Sequence, residues 1–119
     1  MNPKTEALKA RTKKFALDVL AFVDTFPERG SSARMGLQLT DAATSVAANY
    51  RAPCRSRSDR EFAAKIGEVL EEADESLLWL ELADGRHLGP EDERLRLLDE
   101  ADQLTAIFTA STITARQRL

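Results

Sequence analysis

The residues that most often carry catalysis or bind metals are scarce in this sequence. The chain has one histidine, His87, and one cysteine, Cys54. A serine or cysteine nucleophile needs a base such as histidine beside it, and metal sites in helical bundles use repeated Glu-x-x-His pairs. No glycine-rich phosphate-binding loop is present. We therefore expect a protein that is not an enzyme, with no catalytic residues, no metal and no cofactor.

An acidic run is the one remaining candidate for metal binding. Glu68, Glu71, Glu72 and Glu75 follow one another at helical spacing in the segment GEVLEEADES. Such carboxylates suit Mg²⁺ or Ca²⁺, but an acidic helix face is more often solvated or paired with a basic partner. The run therefore indicates a basic partner surface rather than a metal site.

Basic residues form two clusters, although the net charge of the chain is −3. The clusters are candidates for binding the phosphates of RNA or DNA, which would make binding sensitive to salt. The alternative is that they pair with the acidic third helix of a neighbouring subunit, and the sequence leaves both interpretations open. The candidate residues are Lys9, Arg11, Lys13 and Lys14 in the first cluster, and Arg51, Arg55, Arg57 and Arg60 in the second.

The elements that position these residues are predicted by apolar repeats at helical spacing. The repeats and the Gly- and Pro-containing breaks between them predict helices at about residues 3–25, 32–52, 59–84 and 91–115. With 119 residues the chain is expected to form one domain, residues 1–119, an all-α antiparallel up-down-up-down four-helix bundle. The starts of the first and third helices would then share one end, where the two basic clusters converge.

Polar residues on the predicted core faces suggest a hydrogen-bond network. Asn49 falls on the apolar stripe of the second helix, and Glu75 lies beside the core line of the third. Buried polar groups need partners, so Ser45, Asn49 and Glu75 are predicted to bond to one another across the helix pair. A network of this kind fixes helix register and is favoured over a ligand site.

The segment LLWLELA in the third helix is apolar around most of the helix axis. A single four-helix bundle covers only one face of each helix, so a second subunit is expected on the other face. Leu77, Leu78, Trp79 and Leu82 are the predicted oligomer interface. The alternative is that some of these side chains are simply exposed.

The compartment is predicted from features that the sequence lacks. A single cysteine supports no internal disulfide framework and suits a reducing environment. The first residues have no apolar signal-peptide core, and no apolar run approaches the roughly 20 residues of a spanning helix. We expect a cytoplasmic protein without a membrane partner.

A longer pattern of residues resembles a known family. The order and spacing of Phe26-Pro27, Asn49, Arg57-Ser58, Glu61-Phe62 and Glu75 are similar to those of the four-helix bundle proteins encoded in intervening sequences of bacterial 23S ribosomal RNA genes. The resemblance extends from about Phe15 into the last helix. The chain departs from the family at Tyr50-Arg51-Ala52-Pro53, where a short I-A-E-G segment is usual, so an acidic residue is lost and an arginine is gained.

The resemblance implies an assembly as well as a fold. It implies a homopentameric barrel of bundles, as in the related accessory variability proteins of diversity-generating retroelements. Those relatives bind nucleic acid and a reverse transcriptase through a basic surface. The family has no assigned reaction, so the resemblance implies a nucleic-acid or protein-binding scaffold without naming its target.

Overall fold

The computed structural model describes residues 2–119 and consists of four long α-helices. These are α1 (Pro3–Val23), α2 (Gly30–Tyr50), α3 (Asp59–Gly85) and α4 (Glu91–Gln117), with a short 3₁₀ helix at Pro53–Arg55 between α2 and α3. Consecutive helices pack against each other, and α1 also contacts α4. No strand occurs in the described residues. The predicted all-α class and the four helices are confirmed, and the molecule measures 45 × 23 × 19 Å.

The core is built from the apolar repeats of all four helices. The largest buried side chains include Phe15 and Phe22 of α1, Leu39 of α2, Ile66 of α3 and Phe108 of α4. Most positions of the predicted stripes are buried, because residues three or four apart share one side of a helix. Leu20, beside the buried face of α1, remains 37% exposed.

The caps and turns at the ends of the helices decide where each helix begins. Asn2 caps α1, its side-chain oxygen accepting from the Lys4 amide at 2.8 Å. α2 begins at Gly30, two residues before the predicted start. Arg29 occupies the N-cap without a side-chain bond, and Ser31 and Ser32 lie inside the helix, where Ser32 is buried. Gly30 precedes both serines and adopts φ +63°, a left-handed conformation that glycine tolerates and other residues rarely adopt.

The connection between α3 and α4 is held by a buried arginine. Arg94 Nε donates to Asp84 Oδ1 at 2.7 Å, and its Nη1 donates to the carbonyls of Leu88 and Gly89 at 2.9 and 3.0 Å. Gly89 has φ +69°, and a Cβ there would lie 2.5 Å from Cε1 of Phe22. The loop therefore packs tightly against α1 and leaves space for glycine alone at this position.

Candidate nucleic-acid interface

The α2–α3 joint places the second basic cluster on the surface. Arg51 follows α2 directly, Arg55 ends the 3₁₀ helix, and Arg57 and Arg60 flank the start of α3. All four side chains are exposed, and within residues 2–119 none of them forms an ion pair. Pro53 is buried and anchors the joint beneath them. The cluster, which we call the arginine joint, therefore offers four positive charges that are not neutralised within the described chain.

The first turn of α3 is satisfied without any ligand. Ser58 Oγ accepts from the Glu61 amide at 3.0 Å, and the Glu61 carboxylate reaches back to the Arg57 amide at 3.5 Å. This arrangement is a capping box in which the glutamate accepts from the amide of Arg57, one residue before the N-cap. Because Asp59 and Glu61 also lie in this turn, the guanidinium groups rather than the helix terminus would contact an anion.

The first basic cluster is mostly neutralised within the chain. Arg11 makes a two-pronged contact with Glu100, at 2.8 Å from Nε and 2.6 Å from Nη2, and also donates to Gln103. Lys14 pairs with Asp18 at 2.8 Å, and Lys9 lies 3.4 Å from Glu6. Lys13 is exposed and, among the described residues, forms no ion pair.

The pairs between α1 and α4 shift the pKa of their members. The bond from Lys14, assisted by Arg96 at 3.2 Å, lowers the pKa of Asp18. The bond to Glu100 raises the pKa of Arg11. Arg11 therefore joins α1 to α4, and Lys14 pairs within α1 with Asp18. Both contribute less free positive charge than the sequence suggested.

The start of α1 lies beside the end of α2. Lys4, Thr5 and Arg11 line a groove of about 440 Å³ together with Tyr50. A second groove of about 450 Å³ beside the joint is lined by Arg57 and Arg118, among others.

Arg118 was missed from the sequence as a member of the basic end. In an alternating bundle the end of α4 lies beside the end of α2, so topology would have indicated it.

Tyr50 and Cys54 form the apolar floor beneath the joint. Cys54 Sγ donates to the Tyr50 carbonyl at 3.1 Å, and the Tyr50 ring packs on Phe108 with centroids 5.5 Å apart. Burial, together with the neighbouring thiol, raises the pKa of Tyr50 to about 12. The phenol is therefore neutral at physiological pH and adds no charge to the surface.

The predicted polar network is not formed within the subunit. Ser45 and Asn49 are half-buried, whereas Glu75 is exposed and accepts a long 3.5 Å bond from Trp79 Nε1. Within residues 2–119, no hydrogen bond joins any two of Ser45, Asn49 and Glu75. Glu75 points away because it lies on the solvent side of α3, half a turn from the buried line through Ala73 and Ser76.

The four residues predicted as an oligomer interface divide into two pairs. Leu77 and Trp79 are half-buried and pack on the edge of the core. Leu78 and Leu82 are 48% and 44% exposed on the outer face of α3. The subunit therefore covers one side of LLWLELA and leaves the other side open.

Residues 2–119 hold no group of three or more His, Cys, Asp or Glu side chains placed to bind a metal ion. None of the helices in the same range is both long and apolar enough to cross a bilayer.

Comparison with known proteins places the chain in a family. A protein of unknown function from the S23 ribosomal protein family of Bacteroides thetaiotaomicron VPI-5482 has a similar structure, with a TM-score of 0.79 and 20% sequence identity. The similarity covers 92% of this chain and 97% of that one and shows a shared fold. Comparison with curated proteins finds no match. The sequence profile of the 23S rRNA-intervening sequence proteins matches residues 6–110, nearly the whole chain, and the protein therefore belongs to that family, as its residue pattern predicted.

Proposed function

We propose that this protein is a non-enzymatic helical-bundle scaffold that assembles as a homo-oligomer, with a pentamer favoured, in the cytoplasm. Its basic end binds RNA or DNA, or a protein associated with nucleic acid. The observation that carries the proposal is the arginine joint, with four exposed guanidinium groups and no ion pair within the described chain. Guanidinium groups bind phosphate oxygens in a two-pronged geometry and gain affinity from counterion release.

An antiparallel arrangement of the helices supports a shared basic end. Arg11 of α1 pairs with Glu100 of α4, and Asp18, further along α1, pairs with Arg96, earlier in α4. Arg86 at the end of α3 donates to Ser31 at the start of α2 at 3.1 Å. Both sets of contacts favour neighbours that run in opposite directions, which gathers Lys4, the arginine joint and Arg118 at one end.

A second function of a different class is favoured by the acidic outer face of α3. In that alternative the protein is a structural or protein-interaction module, and the arginine joint pairs with Glu68, Glu71 and Glu75 of a neighbouring subunit. These carboxylates are exposed and form no ion pair within residues 2–119. The arginines would then contact the neighbouring subunit and would not be available to bind nucleic acid.

One double charge reversal separates the two functions. Arg55→Glu/Arg57→Glu changes the joint, and Arg29→Glu/Arg34→Glu makes the same change in charge near the start of α2, at the other end of that helix. Fluorescence anisotropy of labelled structured RNA and duplex DNA, at low and moderate salt, measures binding. Light scattering coupled to size-exclusion chromatography measures assembly.

Nucleic-acid binding predicts a loss of affinity of about tenfold or more for the joint variant, a shallower salt dependence, and an unchanged mass. The control variant should bind nearly as the natural protein does. Dissociation of the oligomer by the joint reversal would instead support the interaction module. Failure of the natural protein to bind either probe at low salt would overturn the nucleic-acid proposal.

A further inference from the structure

The outer face of α3 carries a stripe that changes character along the helix. Its first half is acidic and its second half apolar, in the order Glu68, Glu71, Glu75, Leu78, Leu82. The spacing of three and four residues keeps all five on one side of the helix, and all five are exposed. We call these residues the α3 stripe.

The outer face of α1 carries a stripe with the same layout and the opposite charge. Lys9 and Lys13 come first, and Leu17 and Leu20 follow, 57% and 37% exposed. Lys13 has no ion pair among the described residues, and Lys9 has only its long contact to Glu6. An exposed pair of that kind contributes little free energy and leaves Lys9 available to another partner. We call these residues the α1 stripe.

We propose that the α1 stripe of one copy docks on the α3 stripe of the next copy, with the two helices parallel. Lys9 and Lys13 then face Glu71 and Glu75, while Leu17 and Leu20 face Leu78 and Leu82. This inference rests on the proposed homo-oligomer and identifies the surfaces that build it.

The registers of the two stripes match. Lys13 precedes Leu20 by two helical turns, and Glu75 precedes Leu82 by the same interval. In a parallel alignment one superposition therefore satisfies the charged half and the apolar half together. An antiparallel alignment would place lysines on leucines and leave the carboxylates on apolar surface, which costs desolvation without a compensating pair.

The occupant is a second copy because neither stripe suits itself. Two α3 stripes packed in parallel would oppose carboxylates with carboxylates, and packed antiparallel they would bury them against leucine. Two different surfaces of one chain make a head-to-tail contact, which closes into a ring when the rotation between copies permits. Exposed leucines on both stripes supply the apolar area that such a contact removes from water.

In this interface the arginine joint makes no contact with the α3 stripe of the neighbouring copy. Glu71 and Glu75 pair with the two lysines of the α1 stripe in this contact, so the four arginines of the joint remain exposed in the assembly. The candidate residues of the first basic cluster thereby divide by role: Lys9 and Lys13 act in assembly, and Arg11 joins α1 to α4.

The test is a charge swap between the stripes. Glu71→Lys/Glu75→Lys and Lys9→Glu/Lys13→Glu each place like charges across the contact, and the quadruple variant restores opposite charges. Asp41→Lys/Asp102→Lys is the control for the first variant, since it makes the same change in charge at exposed positions on α2 and α4. Mass is measured by light scattering over a dilution series, and helix content by circular dichroism.

Each double variant should dissociate at a protein concentration about tenfold or more above that of the natural protein, while the quadruple variant recovers much of the loss. The control should assemble normally, and all variants should keep their helix content. An oligomeric natural protein whose mass is unaffected by either double reversal overturns this interface and leaves the scaffold proposal intact. A monomeric natural protein overturns both, and failure of the quadruple variant to recover overturns the pairing of the two stripes.

Discussion

Among the charged residues, Arg94 is the one that is buried in the described chain, so its removal should lower the stability of the fold. Its side chain is 5% exposed, and it donates to Asp84 and to two loop carbonyls. Arg94→Met keeps most of the apolar stem and leaves those carbonyls without a donor. We expect a loss of about 2 to 3 kcal/mol in the free energy of unfolding, measured by urea denaturation.

Arg96→Met is the matched control, because Arg96 lies two residues away and its ion pairs to Asp18 and Glu93 are at the surface. A loss below about 1 kcal/mol is expected for this variant. Equal losses for the two substitutions would contradict a special role for the buried arginine.

Arg94 also shows where prediction from sequence ends at this scale. In the segment EDERLRLL it has the composition of a solvated first turn, and only the folded loop brings two carbonyls within reach of its guanidinium. The network predicted for Ser45, Asn49 and Glu75 failed for a related reason. The spacing of apolar residues fixes the buried side of a helix only to within about one residue. An error of one residue turns a side chain by about 100° around the helix axis, which decides whether a carboxylate faces a neighbouring helix or water.

At the scale of one element, the acidic face of α3 should make stability depend on pH. Burial is the main cause that raises the pKa of Glu72, and the charges of Glu75 and Glu71 add to it. The folded state then holds this proton more tightly than the unfolded state. The free energy of unfolding therefore falls as pH rises from the pKa of Glu72 in the unfolded chain, about 4.3, through its raised pKa in the folded chain. This loss of stability is fully present at neutral pH.

Glu72→Gln removes that cost, so the variant should be more stable than the natural protein at pH 7. We expect a gain below about 1 kcal/mol that shrinks as pH is lowered towards 4, measured by thermal unfolding at fixed protein concentration. Asp102→Asn, an exposed carboxyl on α4, is the control and should change stability little at either pH. A Glu72→Gln variant less stable than the natural protein at pH 7 would contradict the assignment.

The helices themselves were the most predictable part of the molecule, because apolar spacing reports directly on burial. Their ends were less so. Before Pro27, α1 stops at Val23 because the next residues form a tighter turn that returns Phe26 to the core, its ring 5.2 Å from that of Phe22. α2 ends at Tyr50, two residues before the prediction, because the chain turns into the 3₁₀ helix. These differences depend on tertiary contacts that propensity does not contain.

At the scale of the whole molecule, the surfaces proposed for nucleic acid and for assembly lie in different places. The arginine joint gathers cations at one end, whereas the two stripes run along the sides of α1 and α3. The sequence indicated that basic and acidic residues are segregated along the chain, and that the segment LLWLELA of α3 is apolar on more than one side of the helix. It did not show that Arg11 is neutralised, since that depends on Glu100 of α4 lying opposite it in the folded bundle. Because the two proposed surfaces share no residue, we expect variants of one to leave the other unaffected.

The apolar half of the α3 stripe gives the last prediction, because it should hold the assembly together even when salt screens the charges. Leu78→Gln/Leu82→Gln removes two leucines that are 48% and 44% exposed in the single subunit. We expect the dissociation constant to rise about a hundredfold and the mass measured by light scattering to fall towards the 13.2 kDa of one chain. The control, Leu37→Gln/Ile113→Gln, removes leucine and isoleucine side chains that are 66% and 53% exposed outside the stripes, and it should keep the natural mass.

High salt alone should weaken the natural assembly only modestly, since it screens the lysine and glutamate pairs and leaves the leucine contacts in place. If the control dissociates as readily as the α3 variant, the interface lies elsewhere on the surface, and if neither variant changes the mass, Leu78 and Leu82 are open to solvent in the assembly.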